Sequence, residues 1–158
     1  MMSVGKSTIG KKLAMKLKYE FVDTDKIIEI KEIFENKGES YFRKVEKKIT
    51  LEELEKNNLV IALGGGAFIN NSIRKKVKNS SISFWLDLSL KSILRRLKNV
   101  KKRPLLNQDS LEETMNKIYS ERKKIYNESN FRIKCDSMNI EEITNKITKL
   151  YENSRDKS

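Results

Sequence analysis

Near the start of the chain, "SVGKST" sets Gly5, Lys6, Ser7 and Thr8 in a row. These residue types suit a phosphate. Glycine lets backbone N–H groups close on an anion, lysine reaches its outer oxygens, and a hydroxyl can ligate Mg²⁺, as in the loop pattern G-x-x-x-x-G-K-[ST]. Only the second half of the pattern is present, because its first glycine would fall one residue before Met1. Taken alone, such a run also reads as an ordinary loop and helix cap. "FVDTD" offers Asp23 and Asp25, which would share one side of an extended strand end. One carboxylate could then reach the water shell of Mg²⁺ while the other faces an acceptor hydroxyl, or both could belong to a solvated turn or helix cap. "LGGGA" leaves bare backbone at Gly64, Gly65 and Gly66, suited either to a small polar ligand or to close packing of strand and loop. In "KKRPLLN", Arg103 stands beside the lone proline, Pro104, and reads either as part of a lid over a transferred phosphate or as a solvated basic loop.

Composition narrows the chemistry further. The chain has no histidine, which excludes histidine bases, Ser-His-Asp and Cys-His catalysis and HExxH zinc sites. Acid–base work falls to Asp, Glu, Lys or Tyr. Cys135 is the only cysteine, so no intramolecular disulfide forms and an intracellular, cytoplasmic location is the default. The net charge of +12 is spread along the chain among Glu and Asn rather than gathered with aromatics, so no nucleic-acid partner is expected. A positive field of this kind favours anionic small substrates. No apolar run approaches the length of a membrane span, and no membrane partner is expected.

The elements that must position these residues follow from periodicity. At 158 residues, one domain is expected over 1–158. "STIGKKLAMKLK" carries Ile9, Leu13, Ala14 and Leu17 at helical spacing, directly after the glycine-lysine turn. "YEFVDTD" reads as a short strand, and the Lys- and Glu-rich stretch 26–58 as helices broken near Gly38. "LVIALGGG" and "SISFWLDL" are apolar runs of the kind buried on both faces of a parallel sheet. Between and after them come helices at "NNSIRKKVKN", at "SLKSILRRLKNV" and from Asp109 onward, the last opened by a Ser110–Glu113 capping box. A final strand, "FRIKCD", precedes a helix capped by Asn139 and Glu142. This alternation predicts an α/β fold with helices on both faces of a parallel sheet and ligands at the carboxyl ends of its strands. All four chemistry-bearing stretches would then reach one edge of the sheet.

Taken in order, "SVGKST", "FVDTD", "GESYFRKVE", "GGGA", "RPLL" and "ERKKIY" resemble the shikimate kinases, a branch of the nucleoside-monophosphate-kinase-like P-loop enzymes, over nearly the full chain. The resemblance implies a three-layer α/β/α fold and ATP-dependent phosphorylation of the 3-hydroxyl of shikimate, with Mg²⁺ as cofactor; a monomer is the default expectation, since the sequence shows no obvious apolar patch pattern. It further implies nucleotide contacts from Gly5, Lys6, Ser7, Thr8, Arg96 and Arg103, and metal ligation through Ser7 with Asp23 acting by way of metal-bound water. Lys6, Asp25 and Arg103 become the catalytic groups. Asp25, Arg43, Gly65, Gly66 and Arg122 become substrate contacts, with Glu46 orienting Arg43. Residues 26–58 form the substrate-binding helical region and 98–112 the lid. Between Asp25 and Phe34 this chain is shorter than the family pattern. Because the family's phosphate loop begins with a glycine and a strand from the middle of the sheet, an upstream start is expected, with Met1 or Met2 internal. A gluconate or nucleotide kinase, or a nucleotide-binding protein without turnover, are the alternatives.

Overall fold

The computed structural model describes residues 4–28, 30–98 and 108–156, with side chains described at all of these except 30–37, 98 and 108–111. Gly5 takes a left-handed backbone (φ 88°, ψ 19°) that turns the chain into helix α1 (Lys6–Leu17), and Lys18 ends that helix in the same region (φ 56°). Ile9, Leu13 and Ala14 are the buried face of α1, as their spacing predicts. Strand β1 (Glu20–Asp23) follows, then a single-turn helix α2 (Thr24–Ile27) and a long helix α3 (Ile30–Glu53) kinked at Gly38, whose φ of 76° and ψ of 170° are non-helical. Strand β2 (Leu59–Ala62) leads through the glycines into a 3-10 turn (Ala67–Ile69) and α4 (Asn71–Ser80). Strand β3 (Phe84–Asp87), α5 (Leu90–Lys98), α6 (Gln108–Tyr126), β4 (Phe131–Lys134) and α7 (Ile140–Arg155) complete the order. The capping box opening α7 is formed in both directions between Asn139 and Glu142, an arrangement whose cap alone contributes about 1 kcal/mol. Ser110 lies outside the described side chains.

The strands form two parallel pairs. Glu20 to Asp23 run in register with Leu59 to Ala62, and Phe84 to Asp87 with Phe131 to Lys134. Among the described residues β2 pairs only with β1, and β3 only with β4. A cavity of about 690 Å³ separates the pairs, with Val60 and Ile61 on one side, Phe84 and Trp85 on the other, and α1 and α7 contributing Leu13 and Ile147. Lys6 and Lys56 are among the charged residues that line it. One apolar core nonetheless joins both halves, from Ile9 and Leu13 through Trp85 and Ile133 to Ile143 and Ile147. Each such side chain contributes about 1.5–3 kcal/mol when fully buried. On the surface, Glu141 of α7 bridges Lys12 (3.1 Å) and Lys16 (2.7 Å) of α1. No described helix is long and apolar enough to cross a membrane.

One local expectation is corrected. Asp23 and Asp25 do not share the side of an extended strand, because the strand stops at Asp23 and Asp25 lies in the first turn of α2. The physical reason is capping: the Asp23 carboxylate accepts the Asp25 N–H at 3.2 Å, which satisfies one of the free donors of the helix start. Asp23 is thus a cap as well as a strand end.

Candidate active site

The carboxyl ends of β1 and β2 and the amino end of α1 meet, and α3 and α6 bring side chains to the same place. Lys6 opens α1 and feels the charges of Asp25, Asp23 and Arg122; burial, the largest influence, pulls its ammonium below the usual lysine range. Asp25 is pushed above the usual carboxylate range by burial, against the pull of Lys6, with Asp23 adding to the rise and Arg43 opposing it. Ser7 donates its hydroxyl to Asp23. Two hard oxygen donors are therefore side by side at the amino end of α1, a donor set of the kind Mg²⁺ takes while keeping several of its waters. Among the described residues no group of three or more His, Cys, Asp or Glu could hold a metal ion. A metal here would rest on this pair and on its other ligands.

Arg43 leaves α3 toward the same point, held by Glu46 at 2.8 Å and by Glu39 at 3.4 Å. Glu46 is almost wholly buried, at 3 % exposure, so its charge is fixed in place by the guanidinium it accepts from. The spacing i, i+3 on one helix face brings the two together.

The three glycines are the hub of the site. Gly64 donates its N–H to the Thr24 hydroxyl at 2.9 Å, and Thr24, fully buried, also reaches the Ala62 carbonyl at 3.4 Å. A Cβ at Gly64 would run into the Asp25 carboxylate and stand 3.0 Å from Glu46 Oε1. The Gly65 carbonyl accepts from Arg122 Nη1 at 2.8 Å and from the Tyr126 hydroxyl at 2.6 Å. A Cβ at Gly66 would stand 2.5 Å from Arg43 Nη1. The close-packing reading of the glycine run therefore holds, and what packs on the backbone is the charged side chains of the site.

Of the residues singled out in the sequence, Gly5, Lys6, Ser7, Asp23, Asp25, Arg43, Glu46, Gly65, Gly66 and Arg122 are brought together in this way. Thr8 is exposed on the first turn of α1. Arg96 stands exposed on α5, where its charge acts on Cys135 and Asp136 at the end of β4. Arg103 and Pro104 lie outside the described residues, as does most of the lid expected over 98–112, and Phe34 lies outside the described side chains. Sequence reasoning missed Thr24 and Tyr126, and named Gly64 only as part of the glycine run. Gly64 is the first glycine of the same run and Thr24 the centre of "DTD"; Tyr126 stands one helical turn after Arg122.

A lysine at a glycine-led helix start, paired carboxylates and converging guanidiniums at the ends of parallel strands define an α/β phosphotransferase of the P-loop kinase type. Comparison with known proteins narrows the class. The model of the shikimate kinase family matches residues 2–152. The shikimate kinase of a Sulfurihydrogenibium species is 44% identical over 156 residues, covering 92% of this chain and 93% of its own, and that of Persephonella marina is 40% identical over 152 residues, covering 92% of each. Among solved structures, shikimate kinase from Bacteroides thetaiotaomicron superposes with a TM-score of 0.87 at 28% identity, covering 96% of this chain and 94% of that one. Shikimate kinase from Acinetobacter baumannii in complex with shikimate gives 0.86 at 31% identity, covering 97% and 89%. The chain belongs to the shikimate kinase family.

Proposed function

We propose that this kinase transfers the γ-phosphoryl group of ATP to the 3-hydroxyl of shikimate with the groups gathered around Gly64–Gly66. What supports this reading above all is the position of Asp25, a carboxylate held between the Lys6 ammonium and the glycine loop, with its proton affinity raised by burial. Asp25 accepts the proton of the acceptor hydroxyl as that oxygen bonds to the γ-phosphorus and the bond from phosphorus to the departing ADP oxygen breaks. Lys6 lies against the charge that accumulates on the transferred group, and the N–H groups after Gly5 cradle the phosphates. Ser7 and Asp23 would hold Mg²⁺, Asp23 through water, and the ion would neutralise phosphate charge when bound. Arg43, steadied by Glu46, and Arg122 clamp the acceptor's carboxylate, since a planar guanidinium presents paired donors to a planar anion. Gly65 and Gly66 contribute backbone to the acceptor pocket. Thr8, Arg96 and Arg103 belong to the nucleotide side, Arg103 closing over the phosphates. The enzyme works as a cytoplasmic monomer, without a nucleic-acid or membrane partner.

The test is ADP release by the 158-residue chain with ATP and Mg²⁺, with and without shikimate, and with Lys6→Ala as background. Release that requires both shikimate and Lys6 is expected. Equal release from Lys6→Ala would overturn the role of Lys6, and release with gluconate or a nucleotide in place of shikimate would overturn the choice of acceptor.

A further inference from the structure

Tyr126 is the last residue of α6 and one of the most buried polar side chains near the site, 7 % exposed. Its ring packs beside Phe68 and Trp85, with centroids 6.3 and 6.1 Å away. Such a ring could serve the core alone, in which case phenylalanine would replace it without loss. The hydroxyl says otherwise. It donates to the Gly65 carbonyl at 2.6 Å, and Arg122, four residues earlier on the same helix, donates to the same carbonyl at 2.8 Å. Arg122 also hydrogen-bonds the phenol itself. Tyrosine, arginine and glycine carbonyl thus close a triangle in which the phenol is acceptor toward the guanidinium and donor toward the backbone.

We infer that Tyr126 is a positioning residue for the acceptor substrate: by holding the Gly65 carbonyl and Arg122 together, it fixes both the glycine loop and the direction in which the rest of the guanidinium faces. The inference rests on the reading of Arg122 as a carboxylate clamp. A guanidinium has five N–H donors in a rigid fork, so fixing one edge of it on Gly65 and Tyr126 sets where the remaining donors point. Without the hydroxyl, Arg122 keeps one anchor and gains freedom to turn, and a misoriented fork loses bidentate contact with the carboxylate. Burial raises the phenol above the usual tyrosine range, so it stays a neutral donor throughout the range of ordinary assays. Tyr126 acts through Arg122 and Gly65, and so on the acceptor rather than on the nucleotide.

Tyr126→Phe keeps the ring and removes only the hydroxyl. The expected result is a KM for shikimate raised about tenfold, the scale of one hydrogen bond to a charged group, with KM for ATP and kcat each changed less than twofold and the melting temperature nearly unaltered. An acceptor analogue with a carboxamide in place of the carboxylate should show the same KM with both enzymes. An unchanged KM for shikimate in Tyr126→Phe, or parallel rises in both KM values with a lowered melting temperature, would overturn the inference and leave Tyr126 a core residue. Arg122→Ala separates the two layers: if it leaves the shikimate KM unchanged, the clamp itself fails, whereas a rise in Arg122→Ala without one in Tyr126→Phe defeats only the positioning role of the tyrosine.

Discussion

Asp23 closes β1 and Asp87 closes β3, each the final residue of a four-residue parallel strand and each nearly buried, at 9 % and 7 % exposure. Their surroundings differ. Asp87 receives two hydrogen bonds from Arg132, Nε at 2.8 Å and Nη2 at 2.6 Å, and one from the Tyr119 hydroxyl at 3.3 Å. The guanidinium lies over the Trp85 ring, 4.7 Å from its centroid. Beyond it, Asp136 collects Ser89 and Ser92 at the start of α5. At this pair of strands, then, a dedicated cation on the neighbouring strand answers the buried carboxylate. At the other pair, Asp23 has a hydroxyl and a backbone N–H, and both it and Asp25 draw on the ammonium of Lys6, itself disfavoured by burial. Strand ends of similar burial therefore carry two kinds of charge, one neutralised within the fold and one short of positive charge, and that deficit is what a cationic ligand can relieve.

The most forceful way to break this comparison is to remove the charge in deficit. Asp25→Asn is expected to lower kcat by 10²–10⁴-fold, the usual range for loss of a general base, without lowering the melting temperature. The pH dependence sharpens the point. The folded chain holds the Asp25 proton to higher pH than the unfolded chain does, so between the usual carboxylate value, about 4, and the raised folded value, the native state binds more protons and stability falls as pH rises. Melts of both proteins across pH 4–8 should therefore show the variant gaining on the wild type with rising pH. A wild type that gains stability relative to the variant over that range would reverse the sign and show that Asp25 is not a carboxylate strained by burial.

A smaller effect is expected from the loop that the open site leans on. Gly64→Ala would set a methyl against the Asp25 carboxylate and 3.0 Å from Glu46 Oε1. Either carboxylate must move, and a displacement on the order of 1 Å costs about 10²-fold in catalysis. A fall of that size in kcat/KM is expected, against near-normal turnover for Ala in place of Gly38, where an added Cβ meets nothing within 4 Å and only the left-handed φ of 76° is strained. Equal kinetics for the two variants would mean that the glycine loop does not hold the site.

The sequence made the order of helices and strands legible because each element follows a plain period: Ile9, Leu13 and Ala14 on α1, and apolar runs at both β2 and β3. Lys6 and Asp25 are legible as part of a glycine-lysine turn and an acidic strand end, though each pattern also suits a plain turn or cap, and Arg43, inside α3, is legible only through the family resemblance of "GESYFRKVE". Thr24 and Tyr126 escaped for a different reason. Their work is to hold backbone, Thr24 on Gly64 and Tyr126 on Gly65, across 40 and 61 residues of chain, and no local pattern reports a contact made at that distance. The strand-end reading of "DTD" failed because a side chain competing for its own backbone N–H turns the chain within one residue, a contest that alternation alone does not register. The aromatic and basic residues of "FWLD" and "FRIK" looked like ordinary strand residues. Only pairing in register revealed Arg132 as the partner of Asp87.

The closed carboxylate yields the mildest prediction for activity and the clearest for stability. Arg132→Leu keeps an apolar side chain over Trp85 but strands Asp87 without its cation. Loss of hydrogen bonds to a buried charge costs about 1.5–3 kcal/mol, and since Arg132 is itself 39% exposed the lower half of that range applies, about 2 kcal/mol. In a domain of this size that lowers the melting temperature by roughly 4–8 °C, while kcat/KM measured below the transition should change less than twofold. Adding Asp87→Asn to Arg132→Leu should recover part of the loss, because the penalty in the single variant is mostly an uncompensated buried charge rather than a missing attraction. If the double variant is instead less stable than Arg132→Leu by the full cost of Asp87→Asn alone, the two residues do not act as a pair. If Arg132→Leu abolishes turnover in a folded chain, the charge at the second pair of strands is not closed after all, and the contrast between the two strand ends fails with it.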